Sequence, residues 1–399
     1  MAIREVKLGK VATVKGGKRL PKGINLITKP NPHPYIRVRD LNGKKTLELD
    51  GSFEFVDDET QKAISRYIVT GGDIVLSIVG TIGLVSVVGD SLNEANLTEN
   101  CVKLTSLSGI DRDYLYYYLK SSYGQQEIAR GTVGAVQAKL PIKNIQDISI
   151  PLPDEVTQRK IADILSSLDA KIEVNQRIND NLEQQAQSYF QELFVDNASP
   201  EWTTGTISNL GTVVGGSTPS KAKPEYYTES GIAWITPKDL SINKSKFVSH
   251  GENDITELGL KNSSAVIMPE GTVLFSSRAP IGYIAIAAGE VTTNQGFKSV
   301  VPKPEIGTPF VYFFLKNTLP VIEGMASGST FKEVSGSTMK NVPAVIPDAE
   351  TLAKFSDFCA AIFAQQRTLE EQNQSLAKLR DSLLPKLMSG EIDVSAVHL

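Results

Sequence analysis

The chain has 399 residues, of which 41% are hydrophobic and 22% charged, so it is long enough to bury two independent cores. Its formal net charge is −4 at pH 7, which argues against a typical nucleic-acid binder, since such domains are strongly basic. The two cysteines lie far apart in sequence and predict buried thiols, and the three scattered histidines predict no metal site. A charged start predicts no signal peptide, and the lack of an apolar run of about 20 residues predicts no membrane span. Together these features predict a cytoplasmic location.

Residues 1–152 are predicted to form a first globular domain of mixed α+β structure. The runs Ile74–Ser77 and Val85–Val88 are rich in Val and Ile and are joined by a Gly-rich turn, which predicts two strands. Residues 113–121 are rich in Tyr and predict a short buried helix. We expect its rings to pack in the core, and a base-stacking platform is the alternative.

Two segments of this domain carry clustered positive charge. Lys15–Lys22 is a basic loop spaced by glycines, and Arg37 and Arg39 follow Tyr35 in a strand-like run. Two residues apart on a strand, Arg37 and Arg39 would point the same way, which suits them to grasp phosphate or guanine. Taken singly, each charge is better explained as a solvated surface side chain than as a base contact.

Residues 153–196 are predicted to form a long helix. The stretch 154–194 contains neither Pro nor Gly, and as a helix it would be roughly 60 Å long. Steps of four and three residues relate its apolar positions, which is the seam spacing of a coiled coil. The predicted seam comprises Ile161, Leu165, Leu168, Ile172, Asn175, Asn179 and Leu182.

Residues 197–349 are predicted to form a second α+β domain that repeats the first. Tyr35–Leu41 returns as Trp234–Leu240, and Gly72–Ser77 returns as Gly271–Ser276, both 199 residues later. A repeat of this length far exceeds the period of solenoid repeats, so each copy is expected to be a domain. Two-fold proteins suit two-fold targets such as paired DNA half-sites.

Residues 350–399 are predicted to form a second coiled-coil helix and a tail, with Pro385 disrupting the helix near its end. Its seam comprises Phe355, Ile362, Leu369, Leu376 and Leu383. Both seams are polar in the middle, where Asn175 and Asn179 would face Gln366 and Gln372. Because buried amides need partners and a globule separates the helices, we predict that the helices pair in antiparallel fashion. The alternative is that each helix packs on its own globule.

Candidate nucleic-acid contacts lie in equivalent loops of the two domains. In the first domain they are Lys15, Lys18, Arg19, Lys22, Tyr35, Arg37 and Arg39, and in the second they are Lys221, Lys223, Trp234, Thr236, Lys238 and Arg278. Residues 1–150 hold 20 Lys or Arg against 16 Asp or Glu, so only the first domain is modestly basic. If DNA is the ligand, another subunit must supply much of the phosphate contact.

The sequence carries no recognisable catalytic motif. The segments Gly71–Asp73 and Gly131–Gly134 lack the Gly-Lys-Ser/Thr ending of a phosphate-binding loop, and no GxGxxG motif follows a strand. Three unrelated histidines offer no nucleophile–base pair. We therefore expect a non-catalytic chain without a cofactor of its own.

The openings and ends of the helices resemble those of the specificity subunit of type I restriction–modification enzymes. The resemblance is carried by Pro151–Leu165, by Leu379–Ile392, and by Gly72–Val75 with Gly80–Gly83, a pattern typical of target-recognition domains. It implies two such domains held apart by antiparallel helices, each recognising half of a bipartite, interrupted site in double-stranded DNA. The helix lengths would then set the unread spacer between the half-sites.

The same resemblance implies partner subunits. Two methyltransferase subunits would dock on the helices, hold S-adenosylmethionine and methylate adenine, and restriction subunits, where present, would add ATP- and Mg-dependent translocation and cleavage. The second helix opens differently, with Pro347–Lys354 in place of the first copy's Gln-Arg-Lys, which leaves open whether the two docking surfaces are equivalent. A coiled-coil interaction scaffold without a DNA role is the alternative function, and it fits the acidic charge.

Overall fold

In a computed structural model of the chain, residues 4–41, 43–134, 136–328 and 332–395 are described. The chain folds as two compact units, residues 1–173 with 374–399 and residues 174–373. The divisions fall inside the two long helices, so each helix contributes one segment to each unit. The predicted sequence boundaries at 152, 196 and 349 stay predictions, and the last four residues of the predicted tail lie outside the described residues.

The first unit mixes short strands with helices. In chain order its elements are β1 (Arg4–Lys7), α1 (Leu8–Val11), β2 (Thr13–Gly16), β3 (Pro34–Ile36), β4 (Thr46–Leu47), β5 (Glu54–Phe55), α2 (Asp58–Ile64), β6 (Ile74–Ser77), β7 (Val85–Val88), β8 (Asn96–Leu97), β9 (Cys101–Thr105), α3 (Arg112–Lys120), α4 (Ser122–Gly131), α5 (Ile142–Gln146), β10 (Ser149–Leu152) and the first segment of α6 (Glu155–Gln191).

The described residues of this unit form three sheets. The largest has the strand order β2-β9-β6-β7-β4, the second has the order β5-β3-β8, and β1 pairs with β10. Every residue of β6 and β7 is buried, because this sheet is covered on both faces, and such strands read as continuous apolar runs. Gly83 closes the turn between them at a φ of 92°, a conformation that favours glycine.

The predicted aromatic helix is confirmed as α3. Its start is capped by Asp111, whose side chain accepts hydrogen bonds from the backbone N–H groups of Asp113 and Tyr114, both at 2.9 Å. Its four tyrosines are buried in the main core of the unit. The segments of the two long helices that belong to this unit pack in the same core. The rings therefore serve packing, and the base-stacking alternative is wrong for them.

The second unit repeats this architecture. Its elements are β11 (Thr203–Thr206), α7 (Ile207–Leu210), β12 (Gly211–Gly215), β13 (Tyr227–Thr228), β14 (Ile232–Ile235), α8 (Pro237–Ile242), β15 (Phe247–Val248), β16 (Asn253–Ile255), α9 (Glu257–Lys261), β17 (Val273–Ser277), β18 (Ile281–Ala287), β19 (Thr292–Thr293), β20 (Lys298–Pro302), α10 (Thr308–Gly324), α11 (Gly336–Lys340), β21 (Pro343–Ile346) and most of α12 (Ala349–Ser389). A π turn at Glu192–Asp196 follows α6.

The sheet order of the second unit matches that of the first, except that its second sheet has one additional edge strand, β13. Its five-stranded sheet runs β12-β20-β17-β18-β15, its second sheet runs β13-β16-β14-β19, and β11 pairs with β21. Even the register agrees, because Tyr35 lies opposite Glu54 and Trp234 lies opposite Asn253, both 199 residues later. The internal repeat predicted from the sequence is thus a repeat of topology.

The two long helices pair in antiparallel fashion, as predicted. In the second unit, Asn175 Nδ2 donates to Asn373 Oδ1 at 2.9 Å and to Gln372 Oε1 at 3.4 Å. One layer on, Gln366 Nε2 donates to the backbone carbonyl of Asn179 at 3.2 Å. Residue numbers rise on one helix as they fall on the other. The polar layers predicted from the two seams therefore meet.

One prediction about the second helix is wrong. α12 continues through Pro385 to Ser389 without a break. Leu384, Leu387 and Met388, around the proline, are buried in the core of the first unit. Their burial, at roughly 1.5–3 kcal/mol for each large apolar side chain, outweighs the ~3 kcal/mol that an interior proline costs.

Candidate functional site

The basic loop of the first unit is fixed at its base. Lys18 donates its backbone N–H to the carbonyl of Leu97 at 2.7 Å, and its own carbonyl accepts from the Tyr35 hydroxyl at 2.7 Å. Gly17 precedes it, and any Cβ there would collide with the carbonyl oxygen of Thr98. Burial raises the pKa of the Tyr35 hydroxyl, so it stays a donor. The loop thus leaves the strand in one defined direction.

The second unit fixes its loop in the same way. Trp234 Nε1 donates to the carbonyl of Ser217 at 3.0 Å, and the Ser217 N–H donates to the carbonyl of Thr293 at 2.9 Å. A Cβ on Gly216 would collide with the carbonyl of Asn294. The donor and the carbonyl that it holds both lie 199 residues after Tyr35 and Lys18, so the anchoring hydrogen bond is itself repeated.

Two candidate contact residues lie inside the protein rather than on its surface. Tyr35 is 3% exposed and Trp234 is 6% exposed. The polar atom of each is committed to a loop carbonyl, so neither ring is presented to a ligand. Both are positioning residues, and the sequence pattern could not show this because the carbonyl acceptors lie 17 residues away in an irregular loop.

Arg37 and Arg39 do not lie on a strand, contrary to the expectation from their spacing. Strand β3 ends at Ile36, and Val38–Asp40 forms a 3-10 turn. The Asp40 carboxylate closes the turn by accepting the backbone N–H of Arg37 at 2.7 Å. This local hydrogen bond competes successfully with strand extension, so the chain bends at Arg37.

The turn nevertheless brings both guanidinium groups to one place. Each forms an ion pair with Glu54 of β5, Arg37 through Nη1 and Arg39 through Nη2 at 3.0 Å from Oε2. The Arg37 side chain is 18% exposed and the Arg39 side chain 61% exposed. Arg37 is therefore built into the turn, whereas Arg39 offers its remaining N–H groups to the solvent.

The equivalent turn of the second unit is α8. Asp239 caps it by accepting the backbone N–H of Thr236 at 2.7 Å and the Thr236 hydroxyl at 2.6 Å. Lys238, the counterpart of Arg39, pairs with Glu252 at 2.6 Å, and this hydrogen bond raises the pKa of the lysine. The same cap therefore presents different side-chain chemistry in the two units.

The remaining candidates differ in whether an acid compensates their charge. Arg19 Nε lies 2.6 Å from Glu99, Arg278 lies 3.5 Å from Glu333, and Lys223 lies 3.7 Å from Glu225. Lys18 lies 5.5 Å from the ring centre of Tyr67. Four exposed candidate lysines form no ion pair with any residue in the described part of the chain: Lys15, Lys18, Lys22 and Lys221.

The acidic partners were missed by sequence reasoning. Glu54, Glu99, Glu252 and Glu333 lie 14 to 80 residues from the cations that they pair with. No periodic signal connects positions so far apart in loops, so only the folded chain reveals them. Each reduces the net positive charge that its loop presents.

A buried lysine cluster in the second unit was also missed. Lys246 Nζ lies 2.8 Å from Glu183 of α6, 2.9 Å from the side-chain Oε1 of Gln366 on α12, and 3.6 Å from the ring centre of Phe363. Burial lowers the pKa of Lys246 to about 8. Burial raises the pKa of Glu183, but the charges of Lys246 and Lys316 prevail and lower it to about 2.

The first unit has an equivalent contact at Lys45. Lys45 lies directly before β4, and Lys246 lies directly before β15. Each of these strands pairs in parallel with its neighbour in the sheet, β4 with β7 and β15 with β18. Lys45 Nζ donates to Asp113 at 2.8 Å and to Ser166 of α6 at 2.6 Å. In each unit, then, a lysine at the sheet edge joins the globule to the long helix.

The predicted seam residues line the helix pair to different depths. Those that are buried are Ile161, Leu165, Asn175, Asn179, Phe355, Ile362 and Leu369, and those that are half-buried are Leu168, Ile172, Leu182, Leu376 and Leu383. Tyr189 on α6 packs on Phe355 and Phe358 of α12, with ring centres 6.0 and 4.6 Å away. Cys101 and Cys359 are buried free thiols, as predicted.

The described residues include no group of three His, Cys, Asp or Glu side chains that could hold a metal ion. Within the same residues, no helix is both long and apolar enough to cross a membrane. The repeated loops carry Arg and Lys side chains that can donate hydrogen bonds to a ligand. Several of these side chains are held in place by carboxylates that pair with them.

Comparison with known proteins identifies the repeated domain. The family described as "Type I restriction modification DNA specificity domain" matches residues 3–184 and again residues 200–378, most of the chain. A crystal structure of the type I restriction–modification system S subunit from M. genitalium matches 97% of this chain and 96% of its own, with a TM-score of 0.58 and 18% identity, which shows a shared fold.

Two named relatives support the assignment. The type I restriction enzyme MjaIX specificity subunit of Methanocaldococcus jannaschii is 38% identical over 192 residues, which are 48% of this chain and 44% of that protein. The type I restriction enzyme HindI specificity subunit of Haemophilus influenzae is 24% identical over 329 residues, covering 64% of this chain and 71% of that protein. The first alignment thus spans less than half of the relative's length. Because the family matches both halves of the repeat, the chain belongs to the type I restriction–modification DNA specificity family and carries two copies of its domain.

Proposed function

We propose that this chain is the DNA-recognition subunit of a type I restriction–modification enzyme. Each unit would recognise one half of a bipartite, interrupted sequence in double-stranded DNA, and the helix pair would set the spacer. The observation that carries the proposal is the repeat itself: two domains of a DNA specificity family with one topology and one loop-anchoring hydrogen bond. Differences in loop chemistry on a shared scaffold allow two different half-sites.

In this proposal the chemistry belongs to partner subunits. Two methyltransferase subunits would dock on the helices, carry S-adenosylmethionine and methylate adenine, and restriction subunits would use ATP and Mg for translocation and cleavage. The enzyme would act in the cytoplasm, where this chain contributes recognition and no catalysis. Neutralisation of phosphate by positive charge normally dominates affinity for DNA. Because this chain has a net charge of −4, partner subunits would supply part of the positive charge, and the DNA interface would be shared.

The test is co-expression with a candidate methyltransferase subunit in a host that lacks DNA methylation, followed by genome-wide mapping of N6-methyladenine. We expect an interrupted motif with two short specific blocks. The matched control omits this chain and should give no motif. A stable complex of the subunits that produces no new methylation would contradict the proposal and favour the coiled-coil scaffold without a DNA role, which the family assignment disfavours.

A further inference from the structure

The turn after β3 holds a cluster whose charges balance. Arg37, Arg39, Asp40 and Glu54, here called the arginine cluster, contribute two cations and two carboxylates. Arg39 Nη2 lies 3.0 Å from Glu54, and Arg39 Nε lies 3.7 Å from Asp40. Both carboxylates are themselves fixed, Asp40 by the backbone N–H of Arg37 and Glu54 by its place opposite Tyr35 in the sheet. The orientation of the Arg39 guanidinium is therefore set before any ligand arrives.

Charge balance makes the cluster a poor partner for phosphate. A phosphate contact draws its energy from net positive charge and from released counterions. At the arginine cluster, a phosphate would gain no net opposite charge and would meet two carboxylates. Lys15 and Lys22 in the same unit are exposed and lack an acidic partner among the described residues, so they suit phosphate better.

A neutral base edge avoids that repulsion. The guanidinium carries five N–H donors in a rigid fork. Nη2 donates to Glu54 and Nε faces Asp40, which leaves the outer edge of the fork for a ligand. Because the Arg39 side chain is 61% exposed, donors remain directed outward. Two adjacent acceptors, O6 and N7 of guanine in the major groove, match such a fork.

We propose that Arg39, oriented by Glu54, recognises a guanine in the half-site of the first unit, whereas Lys22 contacts phosphate. The proposal rests on the proposed function and adds the base that this position selects. Arg37 is a positioning residue that holds Glu54 in place. In the second unit, Lys238 replaces Arg39 and Thr236 replaces Arg37, so that unit lacks the fork and recognises its half-site differently.

The experiment uses this chain in complex with its methyltransferase subunits. The wild-type motif is mapped first, and binding to a duplex with that motif is then measured against salt concentration. The variants are Arg39→Lys, which keeps the charge but removes the fork, Arg39→Ala, Glu54→Gln, and Lys22→Ala as the matched control. Circular dichroism verifies that each variant is folded, which we expect because Arg39 and Lys22 are exposed.

Arg39→Lys and Arg39→Ala should relax one guanine position of one half-site, with discrimination falling roughly 5- to 150-fold. Glu54→Gln should relax the same position. Lys22→Ala should leave the motif unchanged and reduce the slope of log affinity against log salt by about 0.9. For Arg39→Lys the slope should stay at the wild-type value.

Four outcomes would overturn the proposal. A wild-type motif without guanine in either half-site excludes the recognised base, and a motif that Arg39→Lys and Arg39→Ala both leave intact excludes the residue. A fall in salt slope for Arg39→Ala, with the motif unchanged, would make Arg39 a phosphate contact. A wild-type complex that methylates no interrupted motif overturns the proposed function as well, and so is distinguishable from the other outcomes.

Discussion

At the base of each recognition loop, a buried aromatic side chain donates one hydrogen bond to a loop carbonyl. Tyr35→Phe keeps the ring but removes the donor to Lys18, so we expect a loss of about 1 kcal/mol of unfolding free energy. Methylation mapping should show weaker discrimination in one half-site only. Trp234→Phe, which removes the equivalent donor, is the matched control and should affect the other half-site. An equal effect of Tyr35→Phe on both half-sites would contradict this role.

The half-buried Arg37 gives a second prediction at the scale of residues. Arg37→Ala removes its ion pair with Glu54 and leaves that carboxylate with Arg39 alone. Recognition of one half-site should be relaxed or abolished while the other half-site is kept. The measurement is again the mapped methylated motif. Denaturant unfolding verifies that the variant is folded. Loss of both halves together would indicate a folding defect instead of a local change in recognition.

Among the elements, the contact between sheet edge and long helix depends on Glu183. Its pKa is lowered from 4.5 to about 2, so the carboxylate contributes stability above pH 4.5 that is lost as the pH falls towards 2. The shift corresponds to something on the order of 3 kcal/mol. Glu183→Gln should therefore destabilise the second unit at pH 7 and flatten the acid dependence in that window.

Denaturant unfolding of wild type and Glu183→Gln at pH 7, 4 and 3 measures this difference. Glu192→Gln, in the exposed π turn after the same helix, is the control and should follow the wild type at each pH. A stability difference between wild type and Glu183→Gln that stays constant from pH 7 to pH 3 would refute the assigned ion pairs with Lys246 and Lys316.

For the whole molecule, the prediction concerns the helix lengths. Both α6 and α12 contribute a segment to each unit, so both must change together. Deleting seven residues from the matching stretch of each helix removes about 10 Å of helix, the rise of roughly three base pairs. The mapped spacer should shorten accordingly while both half-site sequences are kept.

Deleting seven residues from α6 alone is the control for the helix lengths. It breaks the match between Asn175 and Asn179 on one helix and Gln372 and Gln366 on the other, and should destabilise the helix pair. The double deletion restores the register of the layers. An unchanged spacer in a folded double-deletion protein would show that the helices do not set it.

The sequence by itself determined the features that depend on local or periodic patterns. The repeat at 199 residues, the strands at Ile74–Ser77 and Val85–Val88, the buried tyrosine helix and the two helix seams all follow from residue order. The pairing of the helices followed from their matching polar layers, and its antiparallel direction followed from the globule that separates them in sequence. Hydrophobic periodicity encodes which face is buried, and that information is present in each segment alone.

Only the tertiary structure decided the chemistry of the candidate sites. The sequence could not show that Arg37 and Arg39 lie on a turn, since the hydrogen bond from the Arg37 backbone N–H to the Asp40 carboxylate outweighs the strand pattern there. Nor could it show that Glu54 and Glu252 compensate the neighbouring cations, or that Tyr35 and Trp234 are buried. Helix α12 passes Pro385 because core packing outweighs the local penalty. Such contacts depend on loops that fold together from distant positions, and no local pattern encodes the distance between them.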